Sequence, residues 1–163
     1  LVGSEMCIRD RDVPFIREQE VSETTAEIPF FKLRPSRIIK TLLIAEDNDL
    51  NYEILEEQLE MYGIHCVRAV NGKECVQLFE IDPSGTYDAI LMDMQMPVMN
   101  GLDATRAIRR LPSPESKQIP IIALTANAYL EDVQKCKEAG MNDHMSKPVQ
   151  IEQIIRTVER WMK

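Results

Sequence analysis

From Thr41 onward, short apolar runs alternate with helical stripes. Leu42-Leu43-Ile44-Ala45 is a continuous apolar run, the pattern of a strand buried on both faces of a parallel sheet. Leu50, Ile54, Leu55, Leu59 and Met61-Tyr62 then recur at helical spacing, and Gly63 is expected to stop that helix. Ile64 to Val70 reads as a second strand and leads to an Asn71-Gly72 turn. A helix over Lys73–Glu80 turns Cys75, Val76, Leu78 and Phe79 towards a core. Pro83, Ser84 and Gly85 make a loop before the third strand, Ala89-Ile90-Leu91-Met92, which ends on Asp93. After a turn with Pro97, Asn100 and Gly101, a helix begins near Leu102 and runs through Ala104–Leu111, with Ile108 inward and Arg106, Arg109 and Arg110 outward. Ile119 to Leu124 is a fourth buried strand ending at Thr125, and Asn127 to Ala139 is a helix closed by Gly140. A short strand over Asp143–Ser146 ends at Lys147-Pro148, and the last helix carries Ile151, Ile154, Ile155, Val158 and Trp161.

Alternation of five strand–helix units predicts an α/β fold, a parallel sheet with right-handed crossovers and helices on both faces. For five units in this length the flavodoxin-like (βα)5 order 2-1-3-4-5 is the leading choice. The carboxyl ends of the strands then carry Glu46 and Asp47, Asp93, Thr125 and Lys147, and that order brings them to one crevice at the switch point. Each has a plain structural role available: an N-cap, a turn aspartate, a core threonine, a surface lysine. Their convergence on a single sheet edge favours chemistry instead. Three crowded carboxylates repel and want a divalent cation, and oxygen ligands with room for waters and a phosphate favour Mg2+. A lysine and a hydroxyl opposite suit the remaining oxygens of a phosphoryl group.

Composition narrows this further. The 163 residues carry a net charge of −8. Residues 1–40 hold seven basic and seven acidic side chains, so the whole excess falls on 41–163. An acidic domain without a basic patch argues against a nucleic-acid partner and suits a cation or a basic protein surface. No apolar run approaches the roughly 20 residues of a membrane span. Cys7, Cys66, Cys75 and Cys136 show no C-x-x-C spacing, and with only His65 and His144 a zinc site is not expected. Cys66 and Cys75 stand in apolar settings and read as buried free thiols of a reducing, cytoplasmic compartment. No G-x-x-x-x-G-K-[ST] or other Gly-rich phosphate loop is present.

Residues 41–163 resemble the receiver domain of two-component response regulators along their whole length. The motifs that carry the resemblance are LLIAEDND, the Asp93 turn with Met96-Pro97 and Asn100-Gly101, IPIIALTANA, and Lys147-Pro148. The resemblance implies that Asp93 is the phospho-acceptor and that Asp47 coordinates Mg2+, with Glu46 doing so directly or through water and the backbone carbonyl of Gln95 as a third protein ligand. It implies that Thr125 hydrogen-bonds the acyl phosphate, and that Lys147 pairs with Asp93 and then with the phosphoryl oxygens. The Lys147–Pro148 bond is expected to be cis. The donor is expected to be a phosphohistidine of a histidine kinase or phosphotransfer domain, and the fragment itself is not expected to be an enzyme beyond accepting phosphate. The switch aromatic of the family falls on His144, which departs from the usual Tyr or Phe. The output face would be the fourth predicted helix with the fifth strand and fifth helix. Gln95 and Asn127, two beyond Asp93 and Thr125, are not acids, which predicts moderately slow self-hydrolysis.

Residues 1–11, LVGSEMCIRDR, resemble a translated sequencing adapter and are set aside from the fold. Residues 12–40 mix charges with Pro14, Pro29 and Pro35 and read as a linker, and the natural protein is expected to extend upstream of Asp12. The Asp47-Asn48-x-x-Asn51 pattern with ALTANA and GMNDHMSKP resembles receivers fused behind a hybrid sensor histidine kinase core. A free-standing single-domain regulator is the runner-up. A haloacid-dehalogenase-type phosphatase fits poorly, because its nucleophile follows the first strand and has a second acid two residues on. A phosphorylation-independent binding module is disfavoured by the retained polar groups.

Overall fold

The structure, a computed structural model, describes residues 38–82, 84–126 and 129–162. The expectations for residues 1–37, Pro83 and Asn127 lie outside the described residues. In chain order the elements are β1 (Thr41–Ala45), α1 (Asp49–Glu60), β2 (His65–Ala69), α2 (Gly72–Ile81), β3 (Ala89–Asp93), α3 (Gly101–Arg110), α4 (Glu115–Gln118), β4 (Ile121–Thr125), α5 (Leu130–Ala139), β5 (Asp143–Ser146) and α6 (Ile151–Trp161). The strands form one sheet in the order β2-β1-β3-β4-β5, and every pairing is parallel, as the alternation predicts.

Side chains alternate across a strand, so each strand feeds two cores. Leu42, Ile44, Leu91, Ile122 and Leu124 meet α1 and α6 through Tyr52, Leu55, Leu59, Ile154, Ile155 and Val158. Leu43, Ala45, Ile90, Met92, Ile121 and Ala123 meet α2, α3 and α5 through Cys75, Phe79, Ala104, Ile108 and Cys136. Each fully buried Leu, Ile or Phe stabilises the fold by about 1.5–3 kcal/mol. The helices that follow β1, β2 and β3 start on asparagine caps: Asn48, Asn71 and Asn100 accept from the backbone N–H groups of Asn51, Glu74 and Asp103. At the far end of α5, Gly140 adopts φ +101°, and a Cβ there would lie 3.0 Å from the Arg109 side chain.

Four expectations need correction. The apolar spacing in α1 implied an inward Leu50 and Ile54, yet both are exposed, along with Met61 and Tyr62, and the buried stripe is Tyr52, Leu55 and Leu59. The loop after α3 contains the short helix α4, so β4 begins at Ile121 rather than Ile119. Ile39, read as linker, is buried against the first core. Arg109, expected to face solvent, turns inward. Its Nε donates to the Gly140 carbonyl at 2.9 Å and its Nη1 to that of Ser116 at 2.7 Å. Its Nη2 reaches the Ile119 carbonyl and Asn142 Oδ1, both at 2.9 Å. Burial pulls the guanidinium down to about 10, still far above neutral pH, so it remains charged.

Candidate functional site

The parallel sheet brings the ends of β1, β3, β4 and β5 to one edge. Glu46, the first residue past β1, is anchored through its backbone N–H to the Ala69 carbonyl of β2, and its side chain is 3% exposed. Both of its carboxylate oxygens are engaged. Asn51 Nδ2, one turn into α1, donates to Oε1 at 3.0 Å, and Lys147 Nζ donates to Oε2 at 2.7 Å. Asp93 closes β3 and is buried. Its Oδ2 accepts from the same Lys147 Nζ at 2.8 Å, and its Oδ1 accepts from the Gln95 backbone N–H at 3.1 Å. Asp47 is exposed at the mouth.

One carboxylate oxygen each from Glu46, Asp47 and Asp93 lie within 4.8 Å of one another. Three hard oxygen donors at this spacing, open to water on the Asp47 side, fit a divalent cation of the Mg2+ type. Lys147 bridges two of the three carboxylates. Burial works against its ammonium, but hydrogen bonds and charge from Asp93 and Glu46 outweigh that and hold its pKa above the ordinary lysine value. Thr125 ends β4, is buried, and through its carbonyl accepts from the Lys147 N–H at 2.7 Å, which ties the tip of β4 to the lysine. The Lys147–Pro148 peptide is cis.

The loop after Asp93 folds tightly against it. A Cβ at Gly101 would stand 2.3 Å from the Asp93 carbonyl oxygen, so any larger residue there displaces the end of β3. Val98 sits at φ +69°, a conformation that costs a β-branched residue on the order of 1–3 kcal/mol.

The structure therefore brings together Glu46, Asp47, Asp93 and Lys147, with Thr125 joined to Lys147 through backbone and Gln95 to Asp93 through its N–H. His144 stands half-buried on β5, beside a groove shared with Val133, Met141, Arg160 and Trp161. Sequence reasoning missed two contributors. Asn51 holds Glu46, and its Asn48-x-x-Asn51 spacing, one helical turn from the N-cap, was the available signal. Arg68 on β2 donates through Nε to the Glu46 carbonyl and through Nη2 to the Asp47 carbonyl, both at 3.3 Å.

The response regulator receiver domain pattern matches residues 42–159. The chain belongs to the receiver domain family. It is 37% identical over 131 residues to the hybrid signal transduction protein dokA of Dictyostelium discoideum, a match that covers 80% of this chain and 7% of that protein. It is 34% identical over 115 residues to the peroxide stress-activated histidine kinase mak1 of Schizosaccharomyces pombe, covering 70% and 7%. The chain thus spans a small part of the length of these relatives. Among solved structures it is similar to the receiver domain of a sensor histidine kinase from Pseudomonas aeruginosa, which has a magnesium ion coordinated in its active-site cleft. The identity there is 38%, the TM-score 0.67, and the match covers 77% of this chain and 98% of that one. It is also similar to the receiver domain of Saccharomyces cerevisiae Ssk1, solved with the histidine phosphotransfer protein Ypd1. That match has 29% identity and a TM-score of 0.66, covering 77% of this chain and 92% of that one. This is a receiver domain of the two-component phosphorelay type, homologous to the receivers of hybrid histidine kinases. Among the described residues no helix is long and apolar enough to cross a membrane.

Proposed function

We propose that this receiver takes a phosphoryl group from a phosphohistidine of a histidine kinase or phosphotransfer domain onto Asp93. The observation that carries the reading is the single Lys147 Nζ shared between Glu46 and Asp93, with Asp47 completing a three-carboxylate cluster. A carboxylate oxygen of Asp93 forms the new bond to phosphorus while the phosphorus–nitrogen bond of the donor breaks and its electron pair stays with the imidazole. Lys147 is then free to exchange its contact with Asp93 for the phosphoryl oxygens, and the Thr125 hydroxyl hydrogen-bonds the acyl phosphate. Asp47, Asp93 and the Gln95 carbonyl, with Glu46 directly or through water, would hold Mg2+, which when bound supplies positive charge for the crowded carboxylates and the incoming oxygens.

The homology to hybrid kinase receivers supports an origin behind a kinase core, with the receiver passing its signal by conformational change or onward transfer. Cys66, Cys75 and Cys136 are free and buried, which supports a reducing, cytoplasmic setting. Neither Gln95 nor Asn127 is an acid placed to recruit water, so the phosphate is expected to outlast seconds in the isolated chain.

The test is transfer from a purified phosphorylated histidine phosphotransfer protein in Mg2+. Label moving to the chain as a base-labile adduct supports the reading, and label staying on the histidine protein or appearing as a base-stable adduct contradicts it.

A further inference from the structure

The β1–α1 loop carries two of the three clustered carboxylates, yet among the described contacts only one side chain from another strand holds its backbone. Arg68, in register with Ile44 on the neighbouring strand, spreads its guanidinium along this loop. Nε donates to the Glu46 carbonyl and Nη2 to the Asp47 carbonyl, so one planar fork spans both acidic residues. The fork is itself fixed on two other sides. Its carbon lies 4.9 Å from the centre of the Tyr52 ring, and Nη2 pairs with Asp49 Oδ1 at 2.6 Å. Tyr52 is buried in turn and donates its hydroxyl to Glu56 Oε1 at 2.6 Å.

A cation beside a cation-binding cluster has two opposed effects. Its charge repels Mg2+, and its hydrogen bonds hold the ligands' backbone in place against the mutual repulsion of the carboxylates. Here the Asp49 carboxylate, in contact with the guanidinium, offsets the charge at longer range, while the two carbonyl bonds remain. We infer that Arg68 is a positioning residue for the metal site, which fixes the Glu46–Asp47 backbone so that the acidic pair is arranged for Mg2+ before the ion arrives. Asn51 performs the complementary task on the side chain of Glu46. The inference rests on the proposed use of the cluster as a Mg2+ site.

The test is calorimetric titration of MgCl2 into the full chain, beside the Mg2+ dependence of phosphorylation by acetyl phosphate. Arg68→Met keeps the stem over Tyr52 and removes the donors. It is expected to weaken Mg2+ binding about tenfold, the usual scale for losing a group that supports a metal ligand. Half-saturating Mg2+ for phosphorylation should rise by the same factor, with a much smaller change in the rate at saturation. Arg68→Lys, which keeps the charge but not the fork, should fall between. If Arg68→Met binds Mg2+ as tightly as the unsubstituted chain, or more tightly because only repulsion was removed, the inference is wrong. Should circular dichroism show that Arg68→Met has lost the fold, Arg68→Lys decides between the same two outcomes. An unsubstituted chain that shows no Mg2+ binding overturns the functional reading itself, and equal binding by chain and variant overturns only the role of Arg68.

Discussion

Lys147 and Arg109 are both partly buried cations, and they are satisfied in opposite ways. Lys147 contacts two carboxylates and nothing in its pairing is permanent: either bond can be traded for another anionic oxygen. Arg109 is ringed by four neutral acceptors drawn from α4 (Ser116), the residue that caps it (Ile119) and the turn after α5 (Gly140 and Asn142). Three of the four are backbone carbonyls held by the chain's local structure, and the fourth, Asn142 Oδ1, is fixed in turn by the Ile121 N–H at 2.9 Å. A cation held by charge suits a site that must be remade during a reaction. A cation held by carbonyl oxygens suits a rivet, because fixed dipoles in fixed backbone leave it one position.

Substituting each cation separates the two roles. Lys147→Met should slow phosphorylation by acetyl phosphate by about 10²–10³-fold, the scale of losing one donor to developing charge. Part of its stability loss should be recovered by Mg2+, which offsets the carboxylates left behind. Arg109→Met should lower the unfolding free energy by about 3 kcal/mol, since several buried carbonyls lose their donor together. Denaturant titration should show that Mg2+ does not recover this loss. If the two variants show the same profile in both assays, the contrast fails. A smaller effect is expected from Asn51→Ala, which frees Glu46 Oε1 and should raise half-saturating Mg2+ several-fold, on the order of 3–10.

The smallest effect is in pH. The folded pKa of Lys147 lies above its ordinary value of 10.5. Its stabilising pairing is therefore complete below that value and is lost as pH rises through the higher folded one. The stability difference between the unsubstituted chain and Lys147→Met should hold steady up to about pH 10 and shrink beyond it, as urea titrations across that range would show.

The sheet edge was legible because a parallel strand must bury both faces, so its apolar run stops where the polar crevice begins. Asp93 and Thr125 each stand at such a stop, and strand order does the rest. Arg109 was not legible. It sits among three arginines at the end of an amphipathic helix, where solvent exposure is the ordinary outcome, and its acceptors lie 7 to 33 residues further along the chain. Leu50 and Ile54 misled for a related reason: helical spacing selects a set of positions, while the packing of β1 and α6 selects which stripe goes inward. Arg68 was hidden because a lone arginine on an edge strand carries no spacing signal, and its partners are backbone atoms.

The most direct measurement is intact mass of the chain after incubation with acetyl phosphate and Mg2+, beside an Asp93→Asn control. One added phosphoryl group, absent from the control and absent when Mg2+ is withheld, is the predicted result. An unchanged mass, or a phosphoryl group that the Asp93→Asn chain also acquires, would contradict the assignment of Asp93 as the acceptor.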